Sequence, residues 1–481
     1  MKVILGYSID ELKRKRLDYG DVRYERVTTE NIQVRNGIIE GFSTDSTKGV
    51  GIRVLYKGAW GHAANHVLTE RDVIRTVDEA LSIAKAFSSV NPCRVRLSEN
   101  PPHRDTYKTP FKVDPFSVPP EEKVGLLVDL TTTATRFKDI AVCEAFMEFT
   151  LVEKEFLSTE GAHIRQTILL SGVGYHVIAE DGNDVQVMSY PDSHNGIFAA
   201  KGYELVQELK LMESLERVCG EAKALLKAKE CPTVETDIIL DGSQLALQLH
   251  ESAGHPLEMD RVLGSEISFA GGSFLSLEKR GRFRYGSRDV NIYGDPTHEG
   301  GAGSYRYDDE GVMACRVDLV REGVFLNYLT SRESSSLLGE RSNGSMRASS
   351  WSGMPLVRMS NICIKPGEWA LEDLIKDTKK GFFLSTNRSW SIDDLRLNFQ
   401  FGTEIAYEIK GGKLGQIYKN PVYYGITPDF WNSCDGVCGR GEWRMWGLNS
   451  CAKGEPVQII YVGHGTAPAR FRNVSVGVRK R

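Results

Sequence analysis

The sequence has no hydrophobic run long enough to cross a membrane. No segment approaches the roughly 18 uncharged apolar residues that a spanning helix needs. The amino terminus also reaches Asp10 before an apolar stretch of signal-peptide length has formed. We therefore expect a soluble protein with no membrane partner and no secretion signal.

An excess of charge of either sign is also missing. The 60 basic and 64 acidic residues give a formal net charge of −4. A protein that binds the phosphate backbone normally presents a basic face or tail, and this balance argues against one. We expect no nucleic-acid partner.

Clustered cysteines are scarce. The chain has nine, an odd number, and only Cys434, Cys438 and Cys451 lie near one another in sequence. A chain of this length does not need disulfides, so the pattern favours a reducing compartment and predicts a cytoplasmic protein. Cys434 and Cys438 could form a second metal site, but without a matching pair we favour free thiols.

The length of 481 residues favours two domains over one. Alternating strands, turn signals at Asn36-Gly37 and Lys57-Gly58, and a helix capped by Thr69 predict an α+β domain of hairpins and helices over residues 1–230. It ends in a long amphipathic helix from about Tyr203 to Lys229. Residues 231–481 predict a β-rich, barrel- or sandwich-like domain, so the fold class is α+β.

The second domain carries one conspicuous helix, predicted from Ser243, as N-cap, to about Gly254. It contains His250-Glu251-Ser252-Ala253-Gly254-His255. Two histidines and a glutamate from one helix are typical of zinc peptidases, because imidazole suits zinc and the carboxylate can take a proton from the attacking water.

The spacing of the two histidines does not suit a regular helix. At about 100° per residue, side chains five positions apart point roughly 140° from each other. Gly254 and Pro256 favour a helix that ends before His255, and a π-bulge in the last turn is the other solution. The motif alone is equally compatible with two histidines that make ordinary hydrogen bonds at a helix end.

Several segments in order resemble the TldD/PmbA family, often described as modulators of DNA gyrase. The segment from His250 to Asp260 resembles the HExxxH motif of that family. The other matching segments are Val34-Arg35-Asn36-Gly37, Gly49 to Val54, Gly303 to Gly311, Asn343-Gly344 with Arg347-Ala348, Pro355 with Arg358-Met359, Ser450 to Gly454, and Gly463-His464-Gly465. The chain resembles the metal-binding, TldD-like kind of subunit.

The resemblance implies that His250, His255 and Cys451 bind Zn²⁺ and that Glu251 is the general base. It implies a peptidase that cleaves unfolded or extended polypeptides. The partner would be a second copy or a metal-less TldE/PmbA-like homologue, in a homodimer or heterodimer. His464 departs from the pattern of the family, and we expect it to be peripheral to the site.

Two rival functions remain open. Cys451 could be the nucleophile of a thiol hydrolase with His464 as base, and such an enzyme would survive chelation. The chain could instead be a non-catalytic interaction protein of the gyrase-modulator type, which would keep its biological activity without Glu251. The acidic run Asp308-Asp309-Glu310 is interpreted as a solvated turn, which is the commoner role of acidic residues before a glycine.

Overall fold

The computed structural model describes residues 2–90, 93–193, 196–268 and 271–477. Its helices are α1 Lys2–Arg14, α2 Glu70–Ser88, α3 Pro120–Ala134, α4 Glu204–Leu209, α5 Leu211–Lys227, α6 Gly242–Leu249, α7 Met259–Val262, α8 Arg332–Ser336, α9 Leu371–Asp377 and α10 Thr427–Asn432.

The strands form two large sheets, one in each half of the chain, a third sheet of six strands in the carboxy-terminal half, and a small separate sheet of two strands, Met346–Arg347 and Leu356–Val357. Those before residue 200 are β1 Tyr19–Arg35, β2 Ile38–Tyr56, β3 Ala59–Asn65, β4 Arg104–Lys108, β5 Ile140–Ser158, β6 His163–Glu180, β7 Val185–Tyr190 and β8 Ile197–Ala199. The later ones are β9 Lys229–Glu230, β10 Val234–Leu240, β11 Ile292–Gly294, β12 Val317–Arg321, β13 Val324–Phe325, β14 Met346–Arg347, β15 Leu356–Val357, β16 Asn361–Ile364, β17 Lys380–Ile392, β18 Asn398–Lys410, β19 Lys413–Lys419, β20 Val422–Ile426, β21 Cys434–Val437, β22 Arg444–Lys453, β23 Gln458–Thr466 and β24 Ala469–Val476.

The amino-terminal sheet is built on hairpins, as the sequence predicted. Its strand order is β3-β2-β1-β5-β6-β4, with β7 and β8 also paired to β6. Asn36 and Gly37 have φ of 50° and 79°, and Lys57 and Gly58 have φ of 47° and 75°. Positive φ at both turn residues is what a tight two-residue hairpin with the right twist requires.

The helices that cover this sheet bury one apolar stripe each. Thr69 caps α2 and accepts a hydrogen bond from the Asp72 N–H at 3.2 Å, as predicted.

The predicted continuous helix from Tyr203 to Lys229 is wrong, because the helix is interrupted at Lys210, between α4 and α5. Lys210 has a φ of 48°, a left-handed conformation that no helix interior accommodates.

The second large sheet closes into a barrel. Strands β17, β10, β24, β20 and β18 pair in this order, and β17 also pairs with β18, which closes a five-stranded ring. The third sheet has the order β13-β12-β11-β16-β23-β22. Together with the helices, this confirms the α+β class with a β-rich carboxy-terminal part.

Helix α6 lies between the barrel and the third sheet. It contacts β17 on one side and β22 and β23 on the other, and all of its residues are buried. β9 pairs with β19, so the barrel sheet begins close to the predicted domain boundary. The division after residue 230 stays a prediction. No helix of the described residues is long and apolar enough to cross a bilayer.

Candidate metal centre

Helix α6 is capped by Asp241. Its side chain accepts from the Gln244 N–H at 3.0 Å, and Ser243 Oγ donates to the same carboxylate at 2.8 Å. The predicted N-cap, Ser243, is therefore wrong by two residues. The carboxylate is the better acceptor for orphan N–H groups at a helix start, because it also compensates the helix dipole.

The spacing of the two histidines is resolved by a π-helical turn. His250–Gly254 forms this turn, and the His255 N–H donates to the His250 carbonyl five residues back. A π turn uses an extra residue, so two side chains five positions apart reach the same side. The rings of His250 and His255 lie 4.8 Å apart between centroids. The π-bulge is confirmed, and the alternative, a helix that ends before His255, is not what forms.

Cys451 completes a buried cluster with the two histidines. The potential ligand atoms of His250, His255 and Cys451 all lie within 4.8 Å of one another. Cys451 Sγ is 3.8 Å from His255 Nε2. The three residues are 5%, 3% and 2% exposed. Two imidazole nitrogens and a thiolate are a zinc donor set, and three protein ligands leave the fourth position that a catalytic zinc needs.

His464 holds His250 in the tautomer that a metal needs. His250 Nδ1 lies 2.8 Å from His464 Nε2, and His464 Nδ1 lies 3.3 Å from the Ile362 carbonyl. The carbonyl can only accept, so His464 Nδ1 donates to it and His464 Nε2 accepts from His250 Nδ1–H. That leaves the lone pair of His250 Nε2 for a metal. Burial, and then His250, hold the pKa of His464 well below its usual range. The expectation that His464 is peripheral is wrong.

Glu258 does the same for His255. Its Oε2 lies 3.1 Å from His255 Nδ1 and accepts from Arg261 Nε at 2.8 Å. Burial opposes the charge, but Lys453, His255 and Arg261 outweigh it and hold the pKa of Glu258 well below its usual range. Sequence reasoning assigned Glu258 no role, although its position three residues after His255 was a usable signal.

Glu251 lies on the π turn next to His250 and meets a partner that the sequence did not reveal. Its Oε2 accepts from Arg396 Nη1, which comes from the hairpin between β17 and β18. Burial opposes the charge of Glu251, but the two histidines and Arg396 outweigh it and lower its pKa. Arg396 is 145 residues away in sequence, and nothing around it marks it as functional.

The thiol of Cys451 ionises easily for a buried cysteine. Burial raises its pKa, but Arg358 and His255 outweigh burial and lower the pKa to about 7. Arg358 Nη2 also donates to the Cys451 carbonyl. A thiolate is the form that binds metal.

The thiol-hydrolase rival needs a contact between Cys451 and His464. His464 instead contacts His250, and Cys451 contacts His255, so this dyad does not form.

Two other sequence features have purely structural surroundings. Asp308, Asp309 and Glu310 are 3%, 6% and 2% exposed, so the solvated turn is wrong. Their carboxylates accept from the backbone N–H groups of Val312, Ala348 and Arg332. Cys434 and Cys438 are buried free thiols. Within the described residues, the only group of three potential metal ligands is that of His250, His255 and Cys451.

Comparison with known proteins agrees with these features. The PmbA/TldA metallopeptidase domain 1 matches residues 20–84, the central domain matches residues 113–229, and the C-terminal domain matches residues 233–478. A metalloprotease of Methanocaldococcus jannaschii is 32% identical and covers 88% of this chain and 92% of its own. A zinc metalloprotease TldD homolog of Saccharolobus solfataricus is 24% identical, and the match covers 95% of this chain and 96% of that protein.

A solved structure shares the fold. TldE from Thermococcus kodakarensis covers 99% of this chain and 100% of its own, with a TM-score of 0.72. At 16% identity this likeness concerns the fold alone. With three domain models matched and a relative 32% identical over most of its length, the chain belongs to the PmbA/TldD metallopeptidase family and is a metalloprotease.

Proposed function

We propose that the protein is a zinc-dependent peptidase in which His250, His255 and Cys451 hold the metal and Glu251 is the general base. The observation that carries the proposal is the convergence of three buried ligand atoms within 4.8 Å of one another, with Glu251 adjacent to one of them. The relative from Saccharolobus solfataricus, named a zinc metalloprotease, supports zinc as the metal.

The side chains of the site then have distinct tasks. The chemistry that zinc supplies when bound is polarisation of a water molecule and of the scissile carbonyl. Glu251 takes the proton of the attacking water on Oε1, the oxygen that Arg396 does not contact, and passes it to the leaving amine nitrogen. His464 and Glu258 accept from Nδ1 of the two imidazoles and so orient them, which leaves each Nε2 for the metal.

The proposed substrates are unfolded or extended polypeptides. His250, Glu251, His255 and Cys451 are all 6% exposed or less. A peptide bond in a compact domain cannot approach groups that are this enclosed, whereas an extended segment can reach them.

The likeness to TldE supports a partnership with a metal-less homologue, and a homodimer is the other assembly we propose. Free thiols throughout support a cytoplasmic location.

Cleavage of an unstructured fluorogenic peptide tests this function. We expect the zinc-loaded protein to cleave it, a chelator to abolish cleavage, and added zinc to restore it. Glu251→Gln should lower kcat by about 10²–10⁴-fold while one metal per chain is retained, because it removes the proton acceptor and leaves the ligands.

Glu208→Gln is the matched control, because Glu208 lies half-exposed on a helix and pairs with Lys201. This variant should keep the wild-type kcat and metal content. Cleavage that survives chelation would favour a thiol hydrolase. Full biological activity of Glu251→Gln would favour a non-catalytic interaction protein.

A further inference from the structure

The hairpin between β17 and β18 carries Arg396 to the site on a braced turn. Asp393 accepts from the Leu397 N–H at 2.7 Å and from Asn398 Nδ2 at 2.6 Å, and its carbonyl accepts from the Arg396 N–H at 2.9 Å. Thr427 Oγ1 donates to the Arg396 carbonyl at 2.8 Å. Arg396 has a φ of 62°, a left-handed conformation that costs a non-glycine residue energy. Such a conformation is maintained only where the surroundings fix it.

The guanidinium of Arg396 is only partly used. One nitrogen, Nη1, donates to Glu251. Within the described part of the chain, the buried Nε has no hydrogen-bond partner. A guanidinium offers five N–H donors in a planar fork that matches a carboxylate with two parallel bonds. The Arg396 side chain is 14% exposed and that of Glu251 is 8% exposed, so the arginine lies on the more open side of the pair.

We propose that Arg396 is a specificity-determining residue that binds a carboxylate of the substrate, and so favours peptides that present one beside the scissile bond. The carboxylate comes from the carboxy terminus of the peptide or from an Asp or Glu side chain. The inference rests on the proposed peptidase function and names the class of substrate for that site.

The ion pair with Glu251 gives the physical reason. That pair occupies one nitrogen of a side chain that is only 14% exposed, so the remaining N–H donors have lost most of their contact with water. A substrate carboxylate supplies the charged acceptor that these donors lack, while Glu251 Oε1 stays free for proton transfer. A neutral peptide offers these donors no charged acceptor.

The other acid that braces the turn does not compete for Arg396. Both carboxylate oxygens of Asp393 are occupied by the Leu397 N–H and Asn398 Nδ2. The donors of Arg396 that Glu251 does not use are therefore available to an incoming anion.

The test uses peptides of one sequence that differ only in charge. One ends in a free carboxylate, one in an amide, and two amidated versions carry Asp or Asn next to the cleaved bond. We expect the zinc-loaded wild type to favour the free acid over the amide, or Asp over Asn, by about 10-fold in kcat/KM, which corresponds to about 1.4 kcal/mol. Which pair shows the preference identifies the source of the carboxylate.

Variants at position 396 assign the preference. Arg396→Gln should bring the ratio close to one, mainly by raising KM for the acidic peptide, and Arg396→Lys should keep part of it, because lysine retains the charge without the fork. Arg388→Gln is the matched control: it lies on β17, pairs with Gln186 at 3.3 Å, and should keep the wild-type ratio.

Calorimetry on the metal-free protein gives a readout that does not need catalysis. The wild type should bind the acidic peptide about 10-fold more tightly than its neutral partner, and Arg396→Gln should bind both equally. Equal cleavage and binding of all four peptides by the wild type would overturn the inference. Faster cleavage of every peptide by Arg396→Gln would also overturn it, because Arg396 would then only obstruct access to the site. If the zinc-loaded wild type cleaves none of them, the proposed function fails, and the binding comparison still decides the role of Arg396.

Discussion

The site depends at the scale of single residues on two neighbours that fix the tautomer and the orientation of its histidines. His250 donates through Nδ1 to His464, and His255 donates through Nδ1 to Glu258. Both contacts leave the Nε2 lone pairs for a metal. The sequence predicted the ligands because residue type and motif carry that information. The contact with His464 spans 214 residues, and no local pattern reports it.

Substitution of His464 tests this arrangement. We expect His464→Leu to weaken zinc binding by about 10–100-fold, because His250 loses the acceptor that orients it. His464→Gln should recover most of the affinity, since its side-chain oxygen can accept the same proton. Chelator competition measures both affinities, and His176→Leu, in β6, serves as control. A wild-type affinity in His464→Leu would show that the contact does not matter.

At the scale of elements, the π turn decides whether the motif forms a site at all. Gly254 lies at its end, where a Cβ would come within 2.0 Å of Met359 Sδ. Met359 is fully buried, so its side chain has little room to move. The turn therefore packs against Met359 only because residue 254 has no side chain.

A pair of glycine substitutions tests this packing. Gly254→Ala should lower the free energy of unfolding by about 1–3 kcal/mol through overpacking and reduce the bound zinc. Gly220→Ala, in α5 with no atom within 4 Å of the added Cβ, should raise it by up to about 1 kcal/mol through helix propensity. Urea unfolding of both variants measures the contrast. Equal shifts in the two variants would remove the special role of Gly254.

Local signals explain which elements the sequence could predict. Asn36-Gly37, Lys57-Gly58 and Thr69 each act within four residues, and each was predicted correctly. The break at Lys210 and the burial of Asp308 were missed, because both depend on the surrounding tertiary structure. The two solutions for His255 could not be separated, since both satisfy the same local preferences.

At the scale of the whole molecule, Glu404 connects the barrel to the amino-terminal sheet. Glu404 lies on β18 and Ser189 lies on β7. The two oxygens of Glu404 accept from the Ser189 N–H at 2.8 Å and from Ser189 Oγ at 2.6 Å. Burial raises the pKa of Glu404 from 4.5 to about 7, against the opposing effect of Ser189. The carboxyl is therefore neutral in the folded protein at mildly acidic pH.

The sign of the pH effect follows from this shift. Between pH 4.5 and 7 the folded state binds more protons at Glu404 than the unfolded state, so stability falls as pH rises through this range. The loss is on the order of 3 kcal/mol. Glu404→Gln should be more stable than the wild type at pH 8 by about this amount and similar to it at pH 4. Glu408→Gln, half-buried on the same strand, is the control. A pH-independent difference in urea unfolding would contradict the account.

The most direct test of the whole account is the metal content of the purified protein and of Cys451→Ala, measured by elemental analysis. We predict about one zinc per chain in the wild type and a sharply lower content in the variant, because the three-ligand site loses its thiolate. Zinc retained undiminished without Cys451, or no metal in either protein after reconstitution, would contradict the proposed centre.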